Sequence, residues 1–287
     1  MSTAEILERE RRWATPVAIL TILSVALFAA SLVILGSTFS AEGNAELLRK
    51  IDSDSGTFVL AYVLRAIGAA LLAVPLVYLF RAADARNERT RSQLIGLMIA
   101  GPLFLAALAI FTGLSLKDAA PDFVARGIPG TGDRADDIAQ NVIENASLRD
   151  VAAGFGFAGA LGFAIGMTYA CYQAMQAGLL TRFWGSLGAA LGVASIIFFQ
   201  YTLLWLVYLG LLIGGWTPRG RPPAWAAGEA VPWPTPGERA AESLEGEESV
   251  DDADEPRTAP EPGAAPEQGE EAEEPAAGPR RKRKRRS

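Results

Sequence analysis

The chain has 287 residues, half of them hydrophobic, and a formal net charge of −6. It contains no histidine and a single cysteine. Within this chain, that composition excludes histidine-based catalytic triads, histidine-ligated metal sites, internal disulfide bonds and paired-cysteine redox motifs. The one thiol, Cys171, lies inside an apolar run, where we expect it to be packed and inert.

The first element is an apolar run, residues 13–35, preceded by a charged N-terminus that contains Arg9, Arg11 and Arg12. Its apolar core of about twenty residues exceeds that of a cleaved signal peptide and suffices to cross a bilayer. We therefore predict a retained first span, with residues 1–12 in the cytoplasm because arginines favour that side. Apolar residues at helical spacing in the external loop that follows predict a short surface helix: Ala45, Leu48 and Ile51.

A second apolar run, residues 58–80, is followed by a short loop with four arginines, Arg81, Arg86, Arg89 and Arg91. Loops of this kind stay on the cytoplasmic side, so the run is predicted to be a second span that returns to the cytoplasm. Pro75 lacks a backbone donor and predicts a kink within this span.

Arg65 is the one ionisable residue that lies clearly inside a predicted span. A charge within the hydrocarbon is costly, so by default it indicates a functional site. Two interpretations remain open. We favour a structural role, in which Arg65 extends toward the outer surface or pairs with Asp150 or Asp118 there. In the alternative, Arg65 binds an anion or another ligand.

The third predicted span, residues 93–116, leads to a second external segment, residues 117–147. In this segment Ile138, Val142 and Ala146 share one helical face, which predicts an amphipathic helix lying on the membrane.

The fourth predicted span, residues 148–173, is rich in glycine. Three of its glycines have the spacing of a dinucleotide-binding fingerprint, but no strand precedes them, so we favour helix packing over nucleotide binding. The spacing of Gly162 and Gly166 is typical of helices that pack closely in lipid. The glycines expected to pack against other helices, here and in the next run, are Gly154, Gly159, Gly162, Gly166, Gly188 and Gly192.

The last apolar stretch, residues 179–216, is compatible with one span or two. A single helix over residues 185–216 would be about 48 Å long, well beyond a hydrocarbon core of ~30 Å. Two spans with a turn near Gln200 fit that thickness, and they also keep Arg219 and Arg221 in the cytoplasm. We therefore predict six spans, with five as the alternative.

Residues 217–287 have few aliphatic side chains and many Pro, Glu, Ala and Gly residues, which predicts a disordered cytoplasmic tail. At its start, Trp225 and Trp233 are expected at the level of the lipid headgroups. Its basic C-terminal end is expected to contact anionic lipid headgroups weakly, through residues that include Arg281, Lys282 and Arg283. A protein partner of the tail is a second possibility, whereas a short basic run without aromatic residues does not favour specific nucleic-acid binding.

The sequence RPPAW at residues 221–225, followed by GEAVPWP at residues 228–234, resembles a segment found in one protein family. The family comprises uncharacterised actinobacterial multipass membrane proteins, a domain of unknown function, with a PPAW…GEA…PWP segment after the last helix. The resemblance covers residues 13–238 and implies the same multipass architecture. It implies no activity, because none is established for the family.

These features predict an all-α fold, a polytopic transmembrane helical bundle with a disordered C-terminal tail. The expected regions are a cytoplasmic N-terminus (residues 1–12), the bundle (13–216) and the tail (217–287). We place the protein in a bacterial plasma membrane with both termini in the cytoplasm.

The sequence predicts no catalytic, cofactor-binding or metal site, and we expect the protein not to be an enzyme. No Asp or Glu lies inside a predicted span, which disfavours a proton-coupled transporter. The favoured function is a membrane scaffold or interaction protein. The alternative is a small-molecule sensor or passive transporter with a pocket near Arg65. An internal cavity that reaches Arg65 would favour this alternative, whereas a closed, glycine-packed bundle would favour the scaffold.

Overall fold

A computed structural model of the protein describes residues 2–87, 92–130, 132–218 and 220–233, and the regular structure in these ranges is entirely helical. The α-helices, in chain order, are α1 (Thr3–Thr38), α2 (Asn44–Ser53), α3 (Ser55–Leu71), α4 (Ala73–Asp84), α5 (Ile95–Ala125), α6 (Asp133–Glu144), α7 (Arg149–Gln176), α8 (Arg182–Gly214) and α9 (Ala224–Ala227). Within the described ranges, five helical segments are long and apolar enough to cross a membrane, namely α1, α3 with α4, α5, α7 and α8. The predicted all-α class is therefore confirmed, and these segments are candidate membrane spans by length and composition.

Several predicted features lie outside the described residues. They are the loop arginines Arg89 and Arg91, then Arg219, and the tail from residue 234 with Arg281, Lys282 and Arg283. Lipid binding by the basic C-terminal end consequently stays a prediction.

The long helices form a ring. Helix α1 packs on α3, α3 on α5, α5 on α7, α7 on α8, and α8 again on α1. The interface between α5 and α7 is very close because it is built on glycine. A Cβ atom added to Gly159 would lie 2.8 Å from the backbone nitrogen of Leu105, and one on Gly162 would lie 3.1 Å from Cα of Gly101. In lipid, where apolar burial does not drive association, such close contact stabilises a helix pair.

The ring has two ends. We call the end that holds Glu10 the proximal end, and the end that holds Phe39 the distal end. The segment formed by α3 and α4 runs from the distal to the proximal end and is interrupted at Leu72, within one turn before Pro75. A proline ring clashes with the carbonyl one turn earlier, so the interruption lies where the predicted kink requires it.

Helix α8 is folded back on itself. The rings of Trp184 and Tyr208 stack with their centroids 3.6 Å apart, and the indole N–H of Trp205 donates to the carbonyl of Trp184 at 3.1 Å. Residues 21 positions apart on a straight helix would be separated by about 31 Å. The backbone leaves the helical conformation at Phe198 (φ −121°, ψ 53°), which marks the turn. The predicted turn near Gln200 lies two residues further along the chain.

The two arms of this hairpin, residues 182–197 and 199–214, are each about 24 Å long. That length is shorter than a hydrocarbon core of ~30 Å. By length and composition α8 is one candidate span, so six separate spans are not confirmed. The first arm nevertheless begins on the same side as the second arm ends, because both contact the segment after α8. Arg182, at the start of the first arm, donates to the carbonyl of Trp233, and Arg221 donates to the carbonyl of Leu212, near the end of the second arm.

The distal end is covered by α2 and α6. Both predicted short helices are present, but α6 does not use its apolar face in the way the sequence suggested. It buries Ala135, Ala139 and Val142 in a cluster with residues of α2, α3 and α5. The backbone N–H of Ala45 also donates to Asp136 at 2.8 Å. The expectation that this helix lies on the membrane is therefore corrected: its partner is protein.

Candidate functional site

Arg65 lies on α3, inside the ring and half-buried. Its guanidinium carbon is 5.2 Å from the centroid of the Phe28 ring on α1, a distance at which a cation is attracted to an aromatic face. Within the described ranges Arg65 makes no salt bridge and no side-chain hydrogen bond. Arg65 is thus a positive charge inside an apolar bundle, and among the described residues its guanidinium N–H groups have no hydrogen-bond acceptor.

The expected ion pair of Arg65 is not formed. Asp150 is exposed in the first turn of α7, and Asp118 is exposed near the end of α5. Gly156 is the α7 residue nearest to Asp150 that lines the same cavity as Arg65. It follows Asp150 by six residues, or about 9 Å along the helix. The sequence predicted that Arg65 reaches an acid near the outer surface, but in the structure neither Asp150 nor Asp118 pairs with it.

A cavity of about 430 Å³ reaches Arg65. Small-molecule sites have volumes of ~300–1,000 Å³. All four membrane-crossing segments before α8 contribute to its wall, and so does the hairpin: Phe28, Tyr62, Arg65, Ala69, Leu105, Leu108, Ala109, Thr112, Gly156, Ala160, Ser195, Ile196 and Phe199. The wall contains one cation, no acid and three hydroxyl side chains, while its other side chains are apolar.

The tip of the hairpin forms the proximal wall of this cavity. Phe199 lies 5.1 Å from the Phe28 ring and 5.6 Å from the Phe163 ring, measured between centroids. Phe163 is near the middle of α7, so about 20 Å of α7 continues beyond the tip. Since the hairpin is the element between α1 and α7, the distal half of the space between these two helices is not occupied by it.

Aromatic side chains close the cavity toward the distal end. Phe58 contacts both Phe39 and Tyr62, with centroids 5.2 and 4.8 Å apart. Phe58 is almost fully buried and belongs to the cluster beneath α2 and α6. A ligand moving along the axis of the ring would have to displace this aromatic layer on one side or the hairpin tip on the other.

A second polar cluster lies at the proximal end, around a buried ion pair. Both guanidinium Nη atoms of Arg86 bind the carboxylate of Glu10, one of them at 2.9 Å, and the two side chains are 0% and 6% exposed. Arg86 also donates to the carbonyl of Ala224. Tyr78 donates to the backbone carbonyl of Glu10 at 3.0 Å. The helix pair α1 and α4 is thus joined to the segment after α8.

Trp225 packs inside this cluster and is 5% exposed. Its indole N–H donates to the carbonyl of Leu179 at 2.9 Å, and the guanidinium groups of Arg86 and Arg221 lie 5.8 and 5.5 Å from its ring. Its surroundings are therefore protein rather than the lipid headgroups that the sequence suggested. Trp233 is half-buried and donates its indole N–H to Leu180 at 3.0 Å.

The glycines singled out in the sequence have different surroundings. Gly159, Gly162 and Gly166 face the backbone of α5. Gly188 lies against Trp205 and Cys171, and Gly192 lies against α7. Gly154 has open space where a Cβ would be placed.

Two contributors to these sites were missed in the sequence. Glu10 was not singled out in the sequence, although it lies four residues before the buried Ala14 and four after the buried Ile6. That spacing puts it on the buried face of α1. Gly101, on the α5 side of the closest helix contact, was also missed.

No protein-family model, curated protein or solved structure matches this chain. Within the described ranges, no group of three carboxylate or cysteine side chains is placed to hold a metal ion. The case for a function consequently depends on the geometry of the cavity and its charge. The resemblance to an actinobacterial membrane family stays a prediction.

Proposed function

We propose that the protein binds a small anionic amphiphile in the cavity at Arg65 and acts as a membrane-embedded sensor or carrier of that ligand. The observation that supports this most strongly is the Arg65 guanidinium, which makes no salt bridge or side-chain hydrogen bond within the described residues and lines a cavity of about 430 Å³. A half-buried cation in an apolar wall is expensive, and a bound carboxylate or phosphate would compensate it.

The wall of the cavity indicates the chemistry of the ligand. Arg65 would bind the anionic group, and the hydroxyl groups of Tyr62 and Thr112 can add hydrogen bonds. The apolar wall formed by Leu105, Leu108 and their neighbours favours an aliphatic or aromatic body. A fatty acid or a similar amphiphile with one charge combines both properties.

The route into the cavity is sideways from the lipid. The hairpin tip and the aromatic layer around Phe58 close the axis of the ring, while the distal space between α1 and α7 lacks the hairpin. This geometry supports a binding protein for a lipid-dissolved molecule and does not support an open pore. It also supports the small-molecule function over a scaffold, since a closed bundle would have left Arg65 no cavity.

The orientation that we propose puts the proximal end in the cytoplasm of a bacterial cell. We base this orientation on the arginines near the proximal end, including Arg11, Arg12 and Arg182, because arginines favour the cytoplasmic side. The hairpin enters and leaves from this side, so residues 2–12 and 220–233 lie together there. This arrangement replaces two complete crossings with two short arms and preserves the cytoplasmic C-terminus. No catalytic step is part of the proposal.

Reporter fusions test the orientation. Alkaline phosphatase joined after residue 233 should be inactive and green fluorescent protein joined there should be fluorescent, because each reporter works on one side of the membrane. The control is a phosphatase fusion after Gly130, in the segment before α6, which should be active. An active phosphatase after residue 233 would show that α8 crosses the membrane once.

Ligand binding is tested with a fluorescent fatty acid and with the primary alcohol of the same chain, added to the purified protein in detergent. Charge-assisted hydrogen bonds stabilise by ~1.5–3 kcal/mol, so Arg65→Gln should weaken binding of the acid about 10- to 100-fold. Ala160→Phe should reduce binding of both probes by filling the cavity. Arg149→Gln, an exposed arginine at the start of α7, is the matched control.

The proposal fails if Arg65→Gln and Arg149→Gln bind the acid equally well, or if the alcohol binds wild type as tightly as the acid does. Melting temperatures of all variants, measured without probe, identify any variant that has lost its fold. Should Arg65→Gln be misfolded, Arg65→Lys retains the charge and should bind the acid more tightly than the alcohol.

A further inference from the structure

A second, separate cavity lies at the proximal end, on the outer surface of the ring between α1 and α4. It has a volume of about 370 Å³ and is lined by one face of each helix: Arg9, Glu10, Trp13, Val17, Ala73, Val74, Val77, Tyr78, Arg81 and Ala82. The two helices run in opposite directions, so Arg9 and Arg81 lie at the same end of this groove. The distance along the helix from Arg9 to Val17 on α1, and from Arg81 to Ala73 on α4, is eight residues or about 12 Å.

Basic side chains outnumber acidic ones in the described lining at the charged end of the groove. Its lining contains two arginines and one acid, Glu10, whose carboxylate is already bound by both Nη atoms of Arg86. Arg81 is exposed. The phenol of Tyr78 donates its proton to the Glu10 carbonyl, so it is oriented away from an incoming anion. An anionic group at this end of the groove therefore lies beside two guanidinium groups, and the one acid in the described lining is already bound by Arg86.

The remainder of the groove is apolar. Val17, Val74 and Val77 line it, and Trp13 is 54% exposed at its charged end. Tryptophan at this level is typical of the membrane interface. The order along the groove is therefore arginine, tryptophan and then aliphatic side chains, which is the order of headgroup, interface and acyl chain in one leaflet.

We propose that this groove binds an anionic phospholipid of the proximal leaflet. The phosphate lies between Arg9 and Arg81, and one acyl chain follows the valines between α1 and α4. Charge complementarity distinguishes this occupant from a zwitterionic lipid. The apolar walls distinguish it from a free phosphate ion, which would leave them unused. The site is independent of the Arg65 cavity, which lies within the ring near the hairpin tip.

The test uses the full-length protein in detergent and measures lipid adducts by native mass spectrometry. The probes are phosphatidylglycerol, phosphatidylcholine with the same chains, and glycerophosphoglycerol, which is the anionic headgroup without chains. One basic residue near an anionic lipid surface strengthens the binding of that lipid about fivefold. Arg9→Gln and Arg81→Gln should therefore each weaken phosphatidylglycerol binding about fivefold. The double variant should weaken it about 25-fold.

Arg12→Gln is the matched control, because Arg12 is exposed on the same helix but does not line the groove. It should leave phosphatidylglycerol binding unchanged, and the contribution of the basic C-terminal run is the same in all variants. Val77→Trp should weaken binding of both lipids by filling the groove. Melting temperatures measured without lipid confirm that each variant is folded.

Three outcomes would overturn the proposal. The first is equal phosphatidylglycerol binding by the Arg9→Gln/Arg81→Gln double variant and Arg12→Gln. The second is binding of glycerophosphoglycerol as tight as that of the lipid, which would indicate a simple anion site. The third is wild-type binding of phosphatidylcholine as tight as that of phosphatidylglycerol.

Discussion

Replacing Glu10 by Gln should destabilise the folded protein by about 3–5 kcal/mol, because it leaves the Arg86 guanidinium buried without its counter-charge. Both side chains are almost completely excluded from solvent. For a protein of this size, the apparent Tm in detergent should fall by roughly 10 °C. Arg86→Gln should have a similar effect, since it leaves the Glu10 carboxylate unpaired.

The double variant Glu10→Gln/Arg86→Gln should recover part of this loss, because neither charge then needs a partner. Glu46→Gln is the matched control. Glu46 pairs with Lys50 at 2.7 Å on the exposed surface of α2, where the Lys50 hydrogen bond lowers the pKa of the Glu46 carboxyl. Exposed pairs contribute little, so the Tm should hardly change. Equal Tm values for Glu10→Gln and Glu46→Gln would contradict the importance of the buried pair.

Replacing Trp225 by Ala should cost about 3–5 kcal/mol, the usual range for truncating a large buried aromatic side chain. The ring packs beside Tyr78 at a centroid distance of 6.0 Å and between two guanidinium groups, and its N–H satisfies the carbonyl of Leu179. Loss of the ring leaves a cavity and an unpaired carbonyl at the start of the hairpin.

Trp216→Ala is the control for this measurement, because Trp216 is 49% exposed just after α8 and its truncation leaves no buried cavity. Trp225→Phe separates the two contributions, since it retains most of the packing and removes the hydrogen bond. We expect its Tm to lie between those of wild type and Trp225→Ala. A Trp225→Ala protein as stable as Trp216→Ala would show that residues 221–233 do not hold the proximal end together.

The same proximal contacts determine where the hairpin is held. Leu179 precedes the first arm and Leu212 ends the second, and both carbonyls are bound by residues of the segment after α8. The tip at Phe199 closes the Arg65 cavity. A variant that loosens the proximal end should therefore also be examined for fatty-acid binding.

The sequence by itself determined the helical class and the approximate position of each membrane segment. Apolar runs of about twenty residues require helices in lipid, since every backbone polar group must find a partner within its own segment. It also predicted a turn near Gln200, because a single helix of that length exceeds the bilayer, and the backbone leaves the helix at Phe198. The two short helices outside the long apolar runs were predictable from the spacing of Ala45, Leu48 and Ile51 and of Ile138 and Val142.

The tertiary structure decided which faces meet. A helix that is apolar on all sides carries no pattern that separates its lipid-facing side from its protein-facing side. The sequence therefore left open that Phe199 closes a cavity beside Arg65, that Trp225 is packed in protein, and that α6 covers α2. It also left Arg65 with Asp150 as an expected partner, because depth along a helix does not specify direction around it. Packing of the ring placed the two apart and left the charge of Arg65 facing a cavity.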